Sequence, residues 1–170
     1  MKRVIYCFFT LVFCLAVTCG CQKAPPNRQA ALDAPFSAEI QGEMRGVEFA
    51  AKIEGEGREG ELSITYLTPD PLSELCVRAH LRTDGSLGGN AEICRGDMTA
   101  ELSLASVEGL LLPLSILFSH AQIYADTVQK SEGGYQFVFA DGTRLSVSEE
   151  GIPQALTSTE LSYQIVWWER

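Results

Sequence analysis

Cysteine is the residue type in this sequence with the clearest chemical potential. Of the six cysteines, Cys76 and Cys94 are the two outside the N-terminal stretch. Apolar and polar residues alternate around both, and each cysteine falls among the polar, outward-facing ones. If Cys76 opposes Cys94 in an antiparallel hairpin, the apolar residues of both strands meet on the core side, whereas a shift by one residue would set apolar against polar. The apolar pairs expected in this register are Val77 with Ile93 and Ala79 with Ala91.

This register predicts a disulfide bond between Cys76 and Cys94. Opposed residues of a non-hydrogen-bonded pair have Cα atoms about 4.5 Å apart, which is within the range that a disulfide accepts. We expect the bond to stiffen the hairpin and to have no catalytic role. Two free thiols are the alternative, and they are the rarer case in an exported protein.

Histidine is the other residue type that could support chemistry. His80 and His120 are the only histidines, and neither has cysteine or carboxylate neighbours at metal-ligand spacing. We expect His80 on a polar strand face and His120 beside the apolar stripe of a helix, in surface or capping roles. A G-x-S-x-G elbow and a catalytic-cysteine signature are both absent from the sequence. The sequence therefore predicts a protein that is not an enzyme and has no catalytic residues, cofactor or metal site.

A glycine-rich string at residues 55–60 matches the G-x-G-x-x-G pattern of dinucleotide sites. That chemistry requires a helix N-terminus to receive the pyrophosphate. Here a strand pattern follows the glycines, and the nearby glutamates would repel phosphate. We interpret the string as a hairpin loop.

Length and charge narrow the possible classes of protein. A chain of 170 residues suits one domain. The formal net charge is −9, and it becomes −11 when Lys2 and Arg3 are left out. This acidity argues against nucleic acid as a partner and against electrostatic adsorption to anionic lipid.

The first 17 residues have the pattern of a secretory signal. Lys2 and Arg3 are positive, and residues 4–17 carry no charge. The uncharged run is too short to be a membrane-spanning helix. The sequence therefore predicts export to an oxidising compartment.

The end of this run, Val17-Thr18-Cys19-Gly20-Cys21, resembles the lipobox of bacterial lipoproteins. By this resemblance a signal peptide spanning residues 1–20 is removed, and Cys21 receives a diacylglyceryl group and acyl chains such as palmitate. Cys19 is the alternative acylated residue, and an ordinary secretory signal is the alternative interpretation. Two chains on one residue suffice for stable anchoring, so the resemblance implies a lipid-anchored protein on the extracytoplasmic side of the cell membrane. Residues 21–35 would then form a polar, proline-containing tether, and residues 36–170 the folded domain.

One helix is predicted, over Gly109–Tyr124. Its apolar positions recur at spacings of three and four and form one stripe. Because proline is favoured in a first turn and costly inside a helix, Pro113 predicts that the regular helix begins near Leu112. The stripe consists of Leu110, Leu114, Leu117, Ala121 and Tyr124.

Period-two alternation elsewhere predicts about nine strands with one apolar face each, which is typical of an antiparallel sheet. The predicted fold is therefore mainly β with one helix, in the α+β class. The strands are expected near residues 36–40, 47–53, 62–66, 75–81, 91–93, 98–104, 135–139, 145–147 and 161–167.

Three features resemble the half-barrel family of the bacterial lipoprotein-sorting carrier (LolA-like) and its lipidated relatives. They are the strand end at Tyr66–Leu72, which runs into a proline-aspartate bend, the helix after roughly six strands, and the closing segment Gly151–Trp168. This resemblance implies a curved antiparallel sheet with a helix across its concave face. In that family the concave face holds acyl chains.

The resemblance implies a membrane-anchored lipoprotein that binds or carries a lipid or another hydrophobic ligand. Leu114, Leu117, Phe137 and Trp167 are the candidate residues of the hydrophobic ligand groove. The same side chains could instead fill the core. In that case the protein would be a structural or regulatory interaction domain at the cell surface, with no small-molecule ligand.

Overall fold

The computed structural model describes residues 24–170 apart from Glu59, Thr83 and Gly85. The predicted signal peptide and the predicted acylation site at Cys21 lie outside the described residues. The described chain is mainly β with one helix, so the predicted α+β class is confirmed.

Eleven strands form one antiparallel sheet that is not closed. Its order is β6-β5-β4-β3-β2-β1-β11-β10-β9-β8-β7, so that β6 and β7 are the two edges. The strands are β1 (Phe36–Met44), β2 (Val47–Gly55), β3 (Glu61–Thr68), β4 (Cys76–Leu81), β5 (Leu87–Arg95), β6 (Met98–Ser103), β7 (Thr127–Ser131), β8 (Gly134–Val138), β9 (Arg144–Ser148), β10 (Pro153–Thr157) and β11 (Leu161–Glu169). The helix α1 spans Leu104–Gln122, and a short 3-10 helix spans Asp70–Leu72.

The predicted nine strands are two fewer than the eleven observed. The strands that were missed are β7, in which Val128 is the one strongly apolar residue, and β10, which begins at Pro153. The apolar–polar alternation of both segments is weak. They form strands because they hydrogen-bond to neighbouring strands whose alternation is strong, and strand formation depends on such tertiary context.

The predicted register of the β4–β5 hairpin is confirmed. Cys76 opposes Cys94, and the two expected apolar pairs form beside it. The glycine-rich string at residues 55–60 lies at the connection between β2 and β3, as predicted. The Asp141-Gly142 turn joins β8 to β9, with Gly142 at φ 83°.

Helix α1 begins eight residues earlier than expected, at Leu104, and continues through Pro113. The predicted start near Leu112 is therefore wrong. A proline inside a helix costs about 3 kcal/mol. Burial of Val107 and Leu111, which lie before the proline, offsets this cost by fixing the first two turns against the sheet.

Two buried tyrosines hold the middle of α1 to the sheet. The Tyr66 hydroxyl on β3 donates to the Leu110 carbonyl at 2.7 Å, and the Tyr163 hydroxyl on β11 donates to the Pro113 carbonyl at 3.3 Å. Burial raises the pKa of both phenols well above the usual range, so both remain hydrogen-bond donors. These contacts connect distant strands to one turn of the helix.

The predicted stripe of α1 is correct only in its middle. Leu114, Leu117 and Ala121 are buried, whereas Leu110 is half-buried. Tyr124 is 98% exposed and lies beyond the helix end, because α1 stops at Gln122. The buried face also includes Val107, Leu111 and Phe118.

A β-bulge in β11 turns Trp167, which was predicted to line the ligand groove, away from the core. Glu39 pairs with Trp167 and Ile40 pairs with Ile165, so Val166 is the extra residue. One extra residue reverses the side-chain alternation beyond it. Trp167 is therefore 43% exposed, while Trp168 turns inward and stacks on Phe36 with ring centroids 4.7 Å apart.

Part of the segment predicted as a tether is packed on the domain. Ala31 and Leu32 are 0% and 2% exposed and belong to the core. The Arg28 guanidinium lies 4.5 Å from the centre of the Phe137 ring and donates to the Ile123 carbonyl at 2.6 Å. The tether interpretation is therefore wrong for residues 28–32, because two apolar side chains and an arginine anchor them.

Candidate functional site: an apolar groove beside the helix

An apolar groove of about 410 Å³ runs along one flank of α1. We call it the helix-side groove. Its lining residues recur along the helix at spacings of three and four, and the far wall is the beginning of β5 with the residue before it. The lining residues are Ser86, Leu87, Leu104, Ala105, Glu108, Leu111, Ser115, Ile116 and Ser119.

The dimensions of the groove suit a long, narrow, apolar molecule. From Leu104 to Ser119 the helix rises about 22 Å at 1.5 Å per residue. A volume of about 410 Å³ lies within the range of about 300–1,000 Å³ that is typical of small-molecule sites. The groove is open along its length, so a chain-like ligand could lie in it lengthwise.

The two serines on the helix flank of the groove are turned back to the helix backbone. The Ser115 hydroxyl donates to the Leu112 carbonyl and the Ser119 hydroxyl to the Ile116 carbonyl, both at 3.1 Å. Glu108 is the charged residue of the lining. The groove therefore offers a mainly apolar wall with one negative charge near the start of the helix.

The structure places the four predicted groove residues elsewhere. Leu114, Leu117 and Phe137 are 0%, 0% and 4% exposed and lie in the core, and Trp167 is on the outer side of β11. None of the four lines the helix-side groove. Sequence reasoning missed the actual lining because the helix was expected to start late. Continuing the helical spacing back to Leu104 would have placed Leu104, Glu108, Leu111 and Ser115 on one flank.

At the other end of α1, His120 joins the helix to the β8–β9 turn. Its Nε2 lies 3.0 Å from Asp141 Oδ2, and its Nδ1 lies 2.9 Å from the Ile116 carbonyl. Thr143 donates to both oxygens of Asp141, through its backbone N–H and its hydroxyl, each at 2.9 Å. His120 is 8% exposed, and its ring meets Phe139 edge-on. We call His120, Asp141 and Thr143 the helix-end latch.

Partial burial and hydrogen bonding act in opposite directions on Asp141. Burial is the largest single influence and raises the pKa of this carboxyl. The two hydrogen bonds from Thr143 and the contact with His120 together outweigh it, so the pKa of Asp141 lies below its usual value. The carboxylate is therefore the form that completes the latch.

Ser119, His120 and Asp141 have the residue types of a nucleophilic triad, but the Ser119 hydroxyl donates within its own helix. Ser119 Oγ lies 3.1 Å from His120 Nδ1. A general base would need a lone pair on that nitrogen. The Ser119 hydroxyl, whose proton such a base would take, donates to the Ile116 carbonyl at 3.1 Å. A hydroxyl that donates to a helix carbonyl does not donate to the imidazole, so this contact is one that holds the helix end.

The two cysteines face each other on the outer side of the β4–β5 hairpin. Both are free thiols in this structure, and Cys94 Sγ lies 3.6 Å from the Cys76 carbonyl. Burial, followed by the neighbouring Cys76 thiol, raises the pKa of Cys94. A raised pKa keeps the thiol protonated and slows nucleophilic chemistry. The opposed register is confirmed, and the disulfide bond itself stays a prediction.

Within the described ranges, no group of three or more His, Cys, Asp or Glu side chains is arranged to hold a metal ion. Helix α1 is long and apolar enough to cross a membrane by length and composition, but 44% of its apolar window is buried inside the fold. Its packing is that of a core helix.

Comparisons with known proteins were made for sequence families, curated proteins and solved structures. No family model matches the chain. No curated protein matches it. A solved structure of an uncharacterized conserved protein from Thermus thermophilus is similar over 85% of this chain and 83% of that one, at 10% sequence identity and a TM-score of 0.48.

Proposed function

We propose that this protein is an exported lipoprotein, anchored to the membrane through an acylated Cys21, whose domain binds a lipid or another apolar molecule in the helix-side groove. The lipobox-like sequence motivates the anchor. The observation that carries the binding role is the groove itself, with Leu87, Leu104 and Ile116 among its apolar wall residues.

A half-barrel shape is part of this proposal, with α1 across its concave face. Strands β2 and β1 separate β3 from β11, which would set β3 and β11 about 14 Å apart on a flat sheet with a strand spacing of about 4.8 Å. Yet the hydroxyls of Tyr66 and Tyr163 reach carbonyls three residues apart on the helix. Their convergence supports a sheet that curves around α1.

Glu108 sets a preference among apolar ligands. A free fatty acid carries a carboxylate, which Glu108 would repel if the head lay near the helix start. An esterified acyl chain carries no such charge. We therefore propose an uncharged or esterified acyl chain as the ligand class.

A pair of fluorescent probes tests the proposed function. The domain is titrated with a fluorescent fatty acid and with its methyl ester, and we expect tighter binding of the ester. Ala105→Trp places a bulky ring in the groove and should weaken binding at least about tenfold, or 1.4 kcal/mol. Gly109→Trp is the matched control on the same helix, because a side chain there meets nothing within 4 Å and Gly109 lies outside the lining.

Two results would contradict the binding role. The ligand hypothesis fails if the unaltered domain binds neither probe. The assignment of the groove fails if Ala105→Trp and Gly109→Trp bind equally well. Mass spectrometry of the mature N-terminus tests the anchor separately, and a mature chain that begins elsewhere than an acylated Cys21 would contradict it.

The edges of the sheet favour a second candidate function, that of an interaction domain without a small ligand. Every residue of β6 and of β7 is exposed. Exposed edge strands can pair with an added strand from another chain. The filled core, with Leu114 and Leu117 fully buried, is compatible with this role. Cross-linking at Met98, which is 72% exposed on β6, would detect such a partner.

A further inference from the structure

The chain segment closest to the proposed anchor is fixed to one corner of the domain. Arg28 donates to the Ile123 carbonyl, just beyond the end of α1, and its guanidinium lies over the rings of Phe137 and Phe139. Leu32 is buried in the core four residues later. The point at which the polypeptide leaves the domain is therefore set by packed side chains.

The same corner exposes apolar and aromatic side chains. Ile123 is 48% exposed, Tyr124 is 98% exposed and Val128 is 41% exposed. Val128 opposes Phe137 across the β7–β8 pair, and so lies on the sheet face over which Arg28 packs. We call Ile123, Tyr124 and Val128 the anchor-side corner.

Chain length keeps this corner near any bilayer that holds Cys21. The seven residue steps from Cys21 to Arg28 span at most about 25 Å at 3.6 Å per residue. Pro25 and Pro26 lie within this stretch and favour extended backbone. The distance is shorter than a bilayer is thick, so the anchored domain cannot move far from the membrane.

Composition favours the headgroup region as the partner of this corner. An exposed tyrosine has an apolar ring and a polar hydroxyl, which suits the membrane interface. The anchored chain lacks Lys2 and Arg3 and carries a net charge of −11 (−9 − 2), which opposes electrostatic attraction to anionic lipid. Apolar insertion into a zwitterionic bilayer does not require such attraction.

We propose that the anchor-side corner contacts the headgroup region of the phospholipid bilayer and orients the domain on it. The proposal rests on the proposed anchoring of Cys21. Three exposed side chains are too few to hold the domain on a membrane alone, so the corner acts only together with the lipid anchor.

Site-specific quenching tests the orientation with the full acylated protein. In a Cys76→Ser, Cys94→Ser background, an environment-sensitive fluorophore is attached through Tyr124→Cys, or through Met98→Cys as the control on edge strand β6. Both native side chains are largely exposed, at 98% and 72%, so neither label disturbs the core. The proteins are reconstituted on phosphatidylcholine vesicles with and without headgroup-nitroxide lipid, and thermal unfolding confirms that each remains folded.

We expect nitroxide quenching at position 124 to exceed that at position 98 several-fold. Equal quenching at the two positions, or none at 124, would overturn the proposal. Blue-shifted emission at 124 without lipid quenching, together with a cross-linked dimer, would place a second copy on the corner and would also overturn it. If the acylated protein does not sediment with the vesicles, the proposed anchor fails, and the orientation fails with it.

Discussion

The two ends of helix α1 are held in different ways. At its C-terminal end the helix-end latch joins it to the β8–β9 turn, and Phe118 lies near Phe36 with ring centroids 6.2 Å apart. At its N-terminal end Leu104 is only half-buried, and the preceding strand β6 is exposed along its whole length. The C-terminal end is closed by polar and aromatic contacts, whereas the helix-side groove, which continues to Ser119, begins at the N-terminal end.

This difference shows how far one helix can cover a large sheet. The 19 residues of α1 give a length of about 28 Å, and its contacts reach from β5 through β3 and β11 to the β8–β9 turn. The two edge strands of the sheet, β6 and β7, remain exposed along their whole length. The latch holds the helix end at the β8–β9 turn, and the groove lies on the side of β5.

The largest expected effect distinguishes the core from the groove wall. Leu114→Ala removes a fully buried side chain and should lower the free energy of unfolding by about 2–5 kcal/mol. Ile116→Ala, on the half-buried groove wall, should lower the free energy of unfolding by about 1 kcal/mol, because folding buries less apolar area of this side chain. Urea unfolding of both variants measures the two values. Equal losses would mean that the groove wall is packed like the core.

Closing the Cys76–Cys94 pair would stiffen the β4–β5 hairpin. A bridge closing a loop of 18 residue steps should raise the free energy of unfolding by about 3 kcal/mol in the chain-entropy estimate. Alkylation of protein unfolded without reductant should modify neither cysteine, and reductant should lower the stability. The Cys76→Ser, Cys94→Ser protein is the control and should not respond to reductant. Two alkylated cysteines would show that the bridge is absent.

The smallest expected effect concerns the latch at the closed end. The lowered pKa of Asp141 means that its stabilising contribution is present above the pKa of the unfolded carboxyl, about 3.9, and is lost as pH falls through the lower folded value. Because the side chain is 55% exposed, we expect Asp141→Asn to cost only about 1 kcal/mol at neutral pH. Thermal unfolding from neutral to acidic pH should show the difference shrinking at the acid end.

Asp97→Asn is the control for this experiment, in the turn between β5 and β6. We expect an effect within about 0.5 kcal/mol at a surface site of this kind. A cost for Asp141→Asn that does not change with pH would show that the charge of Asp141 does not stabilise the latch.

The candidate site was only partly predictable. The importance of the helix could be read from its apolar periodicity, and Leu114 and Leu117 were placed correctly on its buried face. Whether buried helix residues line a groove or fill a core depends on how many side chains meet them from the sheet, and no local pattern contains that number. The latch was equally hidden, because His120 and Asp141 are 21 residues apart and meet only after the β8–β9 turn folds back to the helix.

The sequence by itself determined the alternating strands, the apolar middle of the helix and the register of the β4–β5 hairpin, because each depends on neighbours that lie close along the chain. The tertiary structure alone decided the early start of α1, the packing of residues 28–32 and the packing of Trp168, instead of Trp167, against the core. The bulge at Val166 is set by pairing with β1, more than a hundred residues earlier. Similarly, Pro113 is tolerated because the sheet buries the turns on both sides of it. In each case the free energy of distant contacts exceeds a local preference of a few kcal/mol.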